Sequence, residues 1–221
     1  MRPIETTILI AALVNLLFSG AVYMHSQRKK LETIFAIFAF NVSLWSLATF
    51  LTIYTKIPFG IFKTGITMHF VVGNLIFLFL FLFACYYRSD VKISNIFVKL
   101  VLAINVVVVY LVIFHSLLFK SFQDLPTLNE KVAIRPSGFL IFSLATILTF
   151  ILSQIFLVSK YKAAIKLDRV HLGFLILGTS IAGSLGLISN LVLPGFNNLN
   201  IFYLGPIITT PLFVGALIYA V

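Results

Sequence analysis

Charge and cysteine are what this chain has least of. Charged residues make up 10% of its 221, and only six are acidic. A soluble domain of this length carries roughly a quarter, so a soluble globular fold is excluded. The single cysteine, Cys85, permits no internal disulfide and reads as a small core residue. No GxSxG, HExxH or GxxxxGK[ST] pattern occurs, and the four histidines lack ligand spacing. Neither a metal centre nor a cofactor is therefore expected. No Asp or Glu lies deep in an apolar run, which argues against a proton pump or an ion-coupled transporter. The last apolar run has no lysine, so a retinal Schiff base is ruled out. The basic residues form no continuous stripe, and nucleic acid is not an expected partner.

Apolar residues fill the space instead, at 61% of the chain and a mean hydropathy of +1.12. A helix crossing a bilayer needs about 20 apolar residues. Windows of that kind fall at about 6–26, 33–55, 66–87, 96–114, 139–158, 170–194 and 201–221. In hydrocarbon only helices or closed barrels satisfy their backbone groups, and these windows lack the short alternation of a barrel. The fold class expected is all-α: one polytopic membrane domain over 1–221, a bundle of seven transmembrane helices. The first window is too long for a signal peptide and has its positive cluster behind it, so it reads as a retained helix. The polar stretch "LPGFNNLN" (193–200) is the turn between the last two windows.

Lysine and arginine orient the bundle. Ten basic residues gather in "QRKK" (27–30), "RSDVK" (88–92), Lys99 and "KYKAAIKLDR" (160–169), with three acids, for a net +7. The opposite side has Arg2, Lys56, Lys63, Lys120, Lys131 and Arg135, also with three acids, for a net +3. The denser side is expected in the cytoplasm, which puts the N-terminus outside and the C-terminus inside. Lys99, near an inner boundary, can snorkel. The overall +10 is a topology signal and an attraction to the anionic face of a lipid bilayer.

Polar side chains inside the windows are mostly uncharged. Asn41 and Trp45 share a helix face at a spacing of four. Asn15, Asn74, Asn105, Gln154 and Asn190 give most helices one amide. Ser143, Thr146, Thr149 and Ser153 run down one face of the fifth span. In the sixth, Gly178, Ala182, Gly186 and Asn190 repeat every four residues, a row in which small residues let helices approach closely. Each polar residue has a bland reading as helix-packing glue. The functional reading is a cavity for a small or amphiphilic ligand, and it applies best to His69, Asn74 and Asn190 in the outer half, with Trp45 beside them. His25, His115 and His171 fall at span ends. The outer segment 115–138 reads as a lid, a binding loop or a simple connector, with "KVAIRPSG" a short extended piece before the fifth helix.

The pattern resembles the N-terminal seven-transmembrane sensor region of bacterial membrane histidine kinases. The residues that carry the likeness are Asn15, "FAIFAFNVSLW" after a basic first loop, "LIFLFLFLFACYY", "RPSGFLIFSL" and, most specifically, "LGTSIAGSLGLISNLVLPGF…YLGP…IYAV". The resemblance implies a multi-pass protein of the bacterial cytoplasmic membrane that detects an extracellular or membrane-borne ligand. It implies a cytoplasmic signalling domain in cis beyond Val221, with a histidine kinase as the full-length protein and no enzymatic activity in this segment. It also leaves room for a homodimer. Output would pass through the last span, with Gly205, Pro206 and Pro211 as its bend. The alternatives are a small seven-helix facilitator for a neutral solute and a structural subunit of a membrane complex.

Overall fold

A computed structural model describes residues 2–25, 30–54, 58–87, 94–115, 117–122, 132–195 and 205–207. Six long helices dominate: α1 (Pro3–His25), α2 (Lys30–Ile53), α3 (Phe59–Tyr86), α4 (Asn95–Phe114), α5 (Pro136–Ala163) and α6 (Lys166–Leu187). The last continues through a π-helical turn at Ile188–Val192 and a final turn at Leu193–Gly195. All six are long and apolar enough to cross a membrane. Of the seventh expected span, 201–221, only Gly205–Ile207 are described, and they are helical. Pro211 lies outside the described residues.

Several helices outrun their apolar windows. The third begins at Phe59 rather than near 66, and the fifth runs Pro136–Ala163 rather than 139–158. The windows stop at charges, whereas a helix continues until its backbone is interrupted. Pro58 precedes α3, and Pro136 opens α5, where a missing N–H is not needed. At the start of α1, Pro3 is again the first helical residue. The Arg2 backbone N–H donates to the Glu5 carboxylate at 2.8 Å, half of a capping box. Arg2 Nη2 reaches the Ile53 carbonyl at 2.8 Å and ties this end to the end of α2.

Helices α2 and α3 form the centre. In each, 67% of the apolar window is buried, against 22–39% in the others. The peripheral helices turn Leu17, Met24, Ile96, Phe114 and Leu140 outward, as lipid-facing surfaces do. The α1–α2 seam is held by hydroxyls on the opposite backbone: Ser19 Oγ donates to Ala36 O at 2.8 Å, and Ser43 Oγ to Ala12 O at 2.7 Å. Along α5, Thr146 accepts from Asn74 of α3, and Thr149 from Asn105 of α4, each at 3.0 Å. Gln154 donates to Thr179 of α6 at 3.1 Å and accepts from Ser180 at 3.0 Å. The threonine face of α5 thus collects one amide from each of two neighbours.

A two-stranded antiparallel hairpin, β1 (Phe119–Phe122) with β2 (Val132–Ile134), lies between α4 and α5. Leu118, Phe119 and Val132 are buried in the core, and Phe119 packs on Phe70 of α3 with ring centroids 5.7 Å apart. The extended piece expected before the fifth helix is β2, and the hairpin caps the bundle. At the other end, Lys30 Nζ sits 3.6 Å over the Tyr86 ring. Lys160 departs from expectation. Counted among loop charges, it is 1% exposed, and its ammonium donates to Cys85 O at 2.9 Å and Tyr87 O at 2.7 Å. It satisfies carbonyls at the end of α3 that have no intrahelical donor.

Candidate functional site

The side chains singled out on α2, α3 and α6 converge. Trp45, His69, Asn74 and Asn190 all line one cavity of about 30 Å³, together with Thr146 of α5. Phe70 and Phe142 bound it toward the hairpin, Phe77 toward the opposite end, and Ala182, Gly186 and Leu187 of α6 form a wall. Phe70 stands edge-on to Phe119, Phe139 and Phe142, with centroids 5.7–6.0 Å apart, so an aromatic layer separates the cavity from the capping hairpin.

His69 is the hub. Helix α3 places it one turn before Gly73, on which the Trp45 indole packs: a Cβ there would lie at ordinary contact distance, 3.5 Å from Trp45 Nε1. His69 is 1% exposed. Its Nδ1 lies 2.8 Å from Thr49 Oγ1, and its Nε2 lies 2.6 Å from Asn190 Oδ1 and 3.3 Å from Trp45 Nε1. Thr49 Oγ1 also lies 2.9 Å from Trp45 O, and its single proton serves only one of these two contacts. The Asn190 amide is oriented by its Nδ2, which donates to Gly186 O and to Ser189 Oγ, both at 2.8 Å. Its oxygen therefore faces the imidazole.

Asn190 sits inside the π-helical turn. There the Leu193 N–H reaches back five residues to Ile188 O. Pro194 has no N–H to offer the Asn190 carbonyl, and its ring would crowd that carbonyl in a regular helix. One extra residue in the turn relieves both problems. Such turns recur at functional sites because they re-aim a side chain. The same turn meets the last segment. A Cβ on Gly205 would collide with Asn190 Nδ2 and lie 2.9 Å from Trp45 Cη2 and 3.0 Å from Ser189 Oγ. Gly205 is thus one point at which the described part of the last segment rests on the cavity wall, and Pro206 beside it is buried.

No family model matches this chain. No curated protein and no solved structure matches it either. The site is therefore read from its own chemistry. Among the described residues no group of three His, Cys, Asp or Glu side chains is placed to hold a metal ion. The cavity offers amide, indole and imidazole groups and no carboxylate, so it suits an uncharged partner.

Of the small-residue row, Ala182 is buried, and both it and Gly186 line the cavity, while Gly178 is half-buried. A close approach lies at Gly183, which the four-residue spacing passes over: a Cβ there would run into the Phe150 ring, 2.7 Å from Cζ. Sequence reasoning also missed Thr49 and Ser189. Thr49 is four residues beyond Trp45, so the shared face was available; Ser189 joins only because the helix widens. Asn105 and Gln154 pack helices away from the cavity. Asn15 and Asn41 donate to carbonyls of their own helices at Ala11 and Ile37. His115 is exposed and His171 half-buried, both outside the cluster.

Proposed function

We propose that this chain is a membrane-embedded sensor domain whose cavity binds a small uncharged ligand and passes the event to the last segment. In this reading the N-terminus and the hairpin lie outside and the basic ends lie in the cytoplasm. The carrying observation is the junction of Trp45, Ser189 and Asn190 with Gly205, because any ligand that moves the cavity wall must also move what rests on it. A signal passed this way needs only two packings of similar energy, one of which the ligand favours. The likeness to histidine-kinase sensor regions supplies the output: a signalling domain in cis in the bacterial cytoplasmic membrane, working as a homodimer.

The facilitator reading requires a path through the bundle. Among the described residues Phe70 and Phe142 border the cavity on one side and Phe77 on the other, which supports a binding site over a path. Fusing a cytoplasmic histidine-kinase module after Val221 tests the choice. Small neutral solutes should change kinase output in membranes, and Asn190→Leu should shift the dose-response midpoint at normal expression. Solute flux into proteoliposomes with a silent kinase would establish the facilitator instead.

A further inference from the structure

Hydrogen-bond accounting around the cavity identifies what its ligand must carry. The 2.6 Å approach of His69 Nε2 to Asn190 Oδ1 needs a proton between two atoms, and the amide oxygen has none. The Asn190 amide cannot be reversed, because Nδ2 is committed to Gly186 O and Ser189 Oγ. The proton is therefore on Nε2, and in the neutral ring Nδ1 accepts from Thr49 Oγ1–H, so that hydroxyl proton is not given to Trp45 O. A protonated Nε2 has no lone pair for Trp45, whose Nε1 is 3.3 Å away. The described residues offer that indole N–H no other acceptor.

The opposite deficit lies on α3. Asn74 is fully buried, and its Oδ1 has no hydrogen-bond partner among the described residues. Its orientation is fixed too: Nδ2 donates to Thr146 Oγ1, whose own proton goes to Phe142 O at 2.9 Å. With the proton on Nε2, the Trp45 donor loses its 3.3 Å contact as a hydrogen bond, so one donor and one acceptor border the same cavity unpaired, and each such group costs free energy if left so. A hydroxyl answers both. Size narrows the class further. A cavity of about 30 Å³ holds about two water-sized groups, whereas one that admits benzene measures about 150 Å³.

We propose that the cavity takes the hydroxyl of a small uncharged alcohol, its oxygen accepting from Trp45 Nε1–H and its proton donated to Asn74 Oδ1. Phe70, Phe77 and Phe142 pack around the carbon that bears it. This deepens the sensing reading and rests on it for biological meaning, but binding can be measured without any output domain.

Trp45 is the only tryptophan in the chain, so its emission reports the site directly. Protein in nanodiscs is titrated with ethanol, with acetonitrile (an acceptor of similar size with no donor), and with 2-phenylethanol. Ethanol should shift the emission saturably. Acetonitrile should need about tenfold more, the value of one lost hydrogen bond, and 2-phenylethanol should have no saturable effect. Asn74→Leu should weaken ethanol by a similar factor while leaving acetonitrile unchanged. Equal midpoints for ethanol and acetonitrile in the wild type overturn the proposal without recourse to a variant. So does the absence of any saturable shift, which would assign the cavity to a resident water. A kinase fusion that answers only solutes lacking a hydroxyl would overturn this proposal and keep the sensing function. Ethanol binding beside a silent fusion would do the reverse.

Discussion

Two glycine-to-alanine substitutions in similar helices should act in opposite directions. At Gly183 the added methyl enters the Phe150 ring, 2.7 Å from Cζ and 3.1 Å from Cδ2. Phe150 is 7% exposed and packs edge-to-face on Phe77, with centroids 5.2 Å apart, so the ring cannot swing aside freely. At Gly20 the same methyl meets nothing within 4 Å. Both substitutions gain helix propensity, about 1 kcal/mol each, and this gain cancels when they are compared. What remains is the overpacking term, about 1–3 kcal/mol. Gly183→Ala should therefore be less stable than Gly20→Ala by that amount in reversible SDS unfolding followed by circular dichroism. In a Phe150→Leu background the gap should shrink to about 0.5 kcal/mol or less, because the obstructing ring is gone and independent sites add to within that margin. A gap that survives Phe150→Leu would refute the assignment of the clash. Equal stability of the two single variants would refute the close α5–α6 approach itself.

Lys160→Met should cost about 1–3 kcal/mol, since two carbonyls at the buried end of α3 lose their donor. The exposed Lys162→Met should stay within about 0.5 kcal/mol, and equal unfolding midpoints would show that the Lys160 clasp adds nothing. For topology, a cysteine at Gly60 in a Cys85→Ala background should react with a membrane-impermeant thiol reagent in intact cells. One at Ile165, 75% exposed at the α5–α6 turn, should react only after permeabilisation. The opposite labelling pattern would invert the orientation.

What the sequence made legible follows from physics of different range. Hydropathy is a one-dimensional property, so six spans and the extended piece before α5 could be read directly. Three of the four cavity residues, His69, Asn74 and Asn190, were legible for a related reason: amides and imidazoles are rare in hydrocarbon, and a bundle tends to gather them. Their partners were not. Thr49, Ser189 and Gly205 join the site through helix rotation and a π-helical turn, which depend on neighbours distant in sequence. Lys160 looked like any loop cation because charge counting ignores where a long side chain ends. Gly183 escaped a strict four-residue spacing because the helix meets Phe150 one residue away from the expected row. The bend expected at Pro211 falls outside the described residues.

The central claim is that the cavity and the last segment move together, and Gly205→Ala tests it most directly. The new methyl must displace Asn190, Ser189 or Trp45, since it would lie 2.9 Å from Trp45 Cη2. The Trp45 emission maximum verifies that the cavity has been disturbed. The deciding measurement is the basal autophosphorylation of the kinase fusion in membranes without added solute. Coupling predicts a basal output changed severalfold from wild type at equal expression, as expected when a two-state equilibrium shifts by about 1 kcal/mol. A shifted Trp45 emission with unchanged basal output would contradict it, leaving a cavity that binds but does not signal.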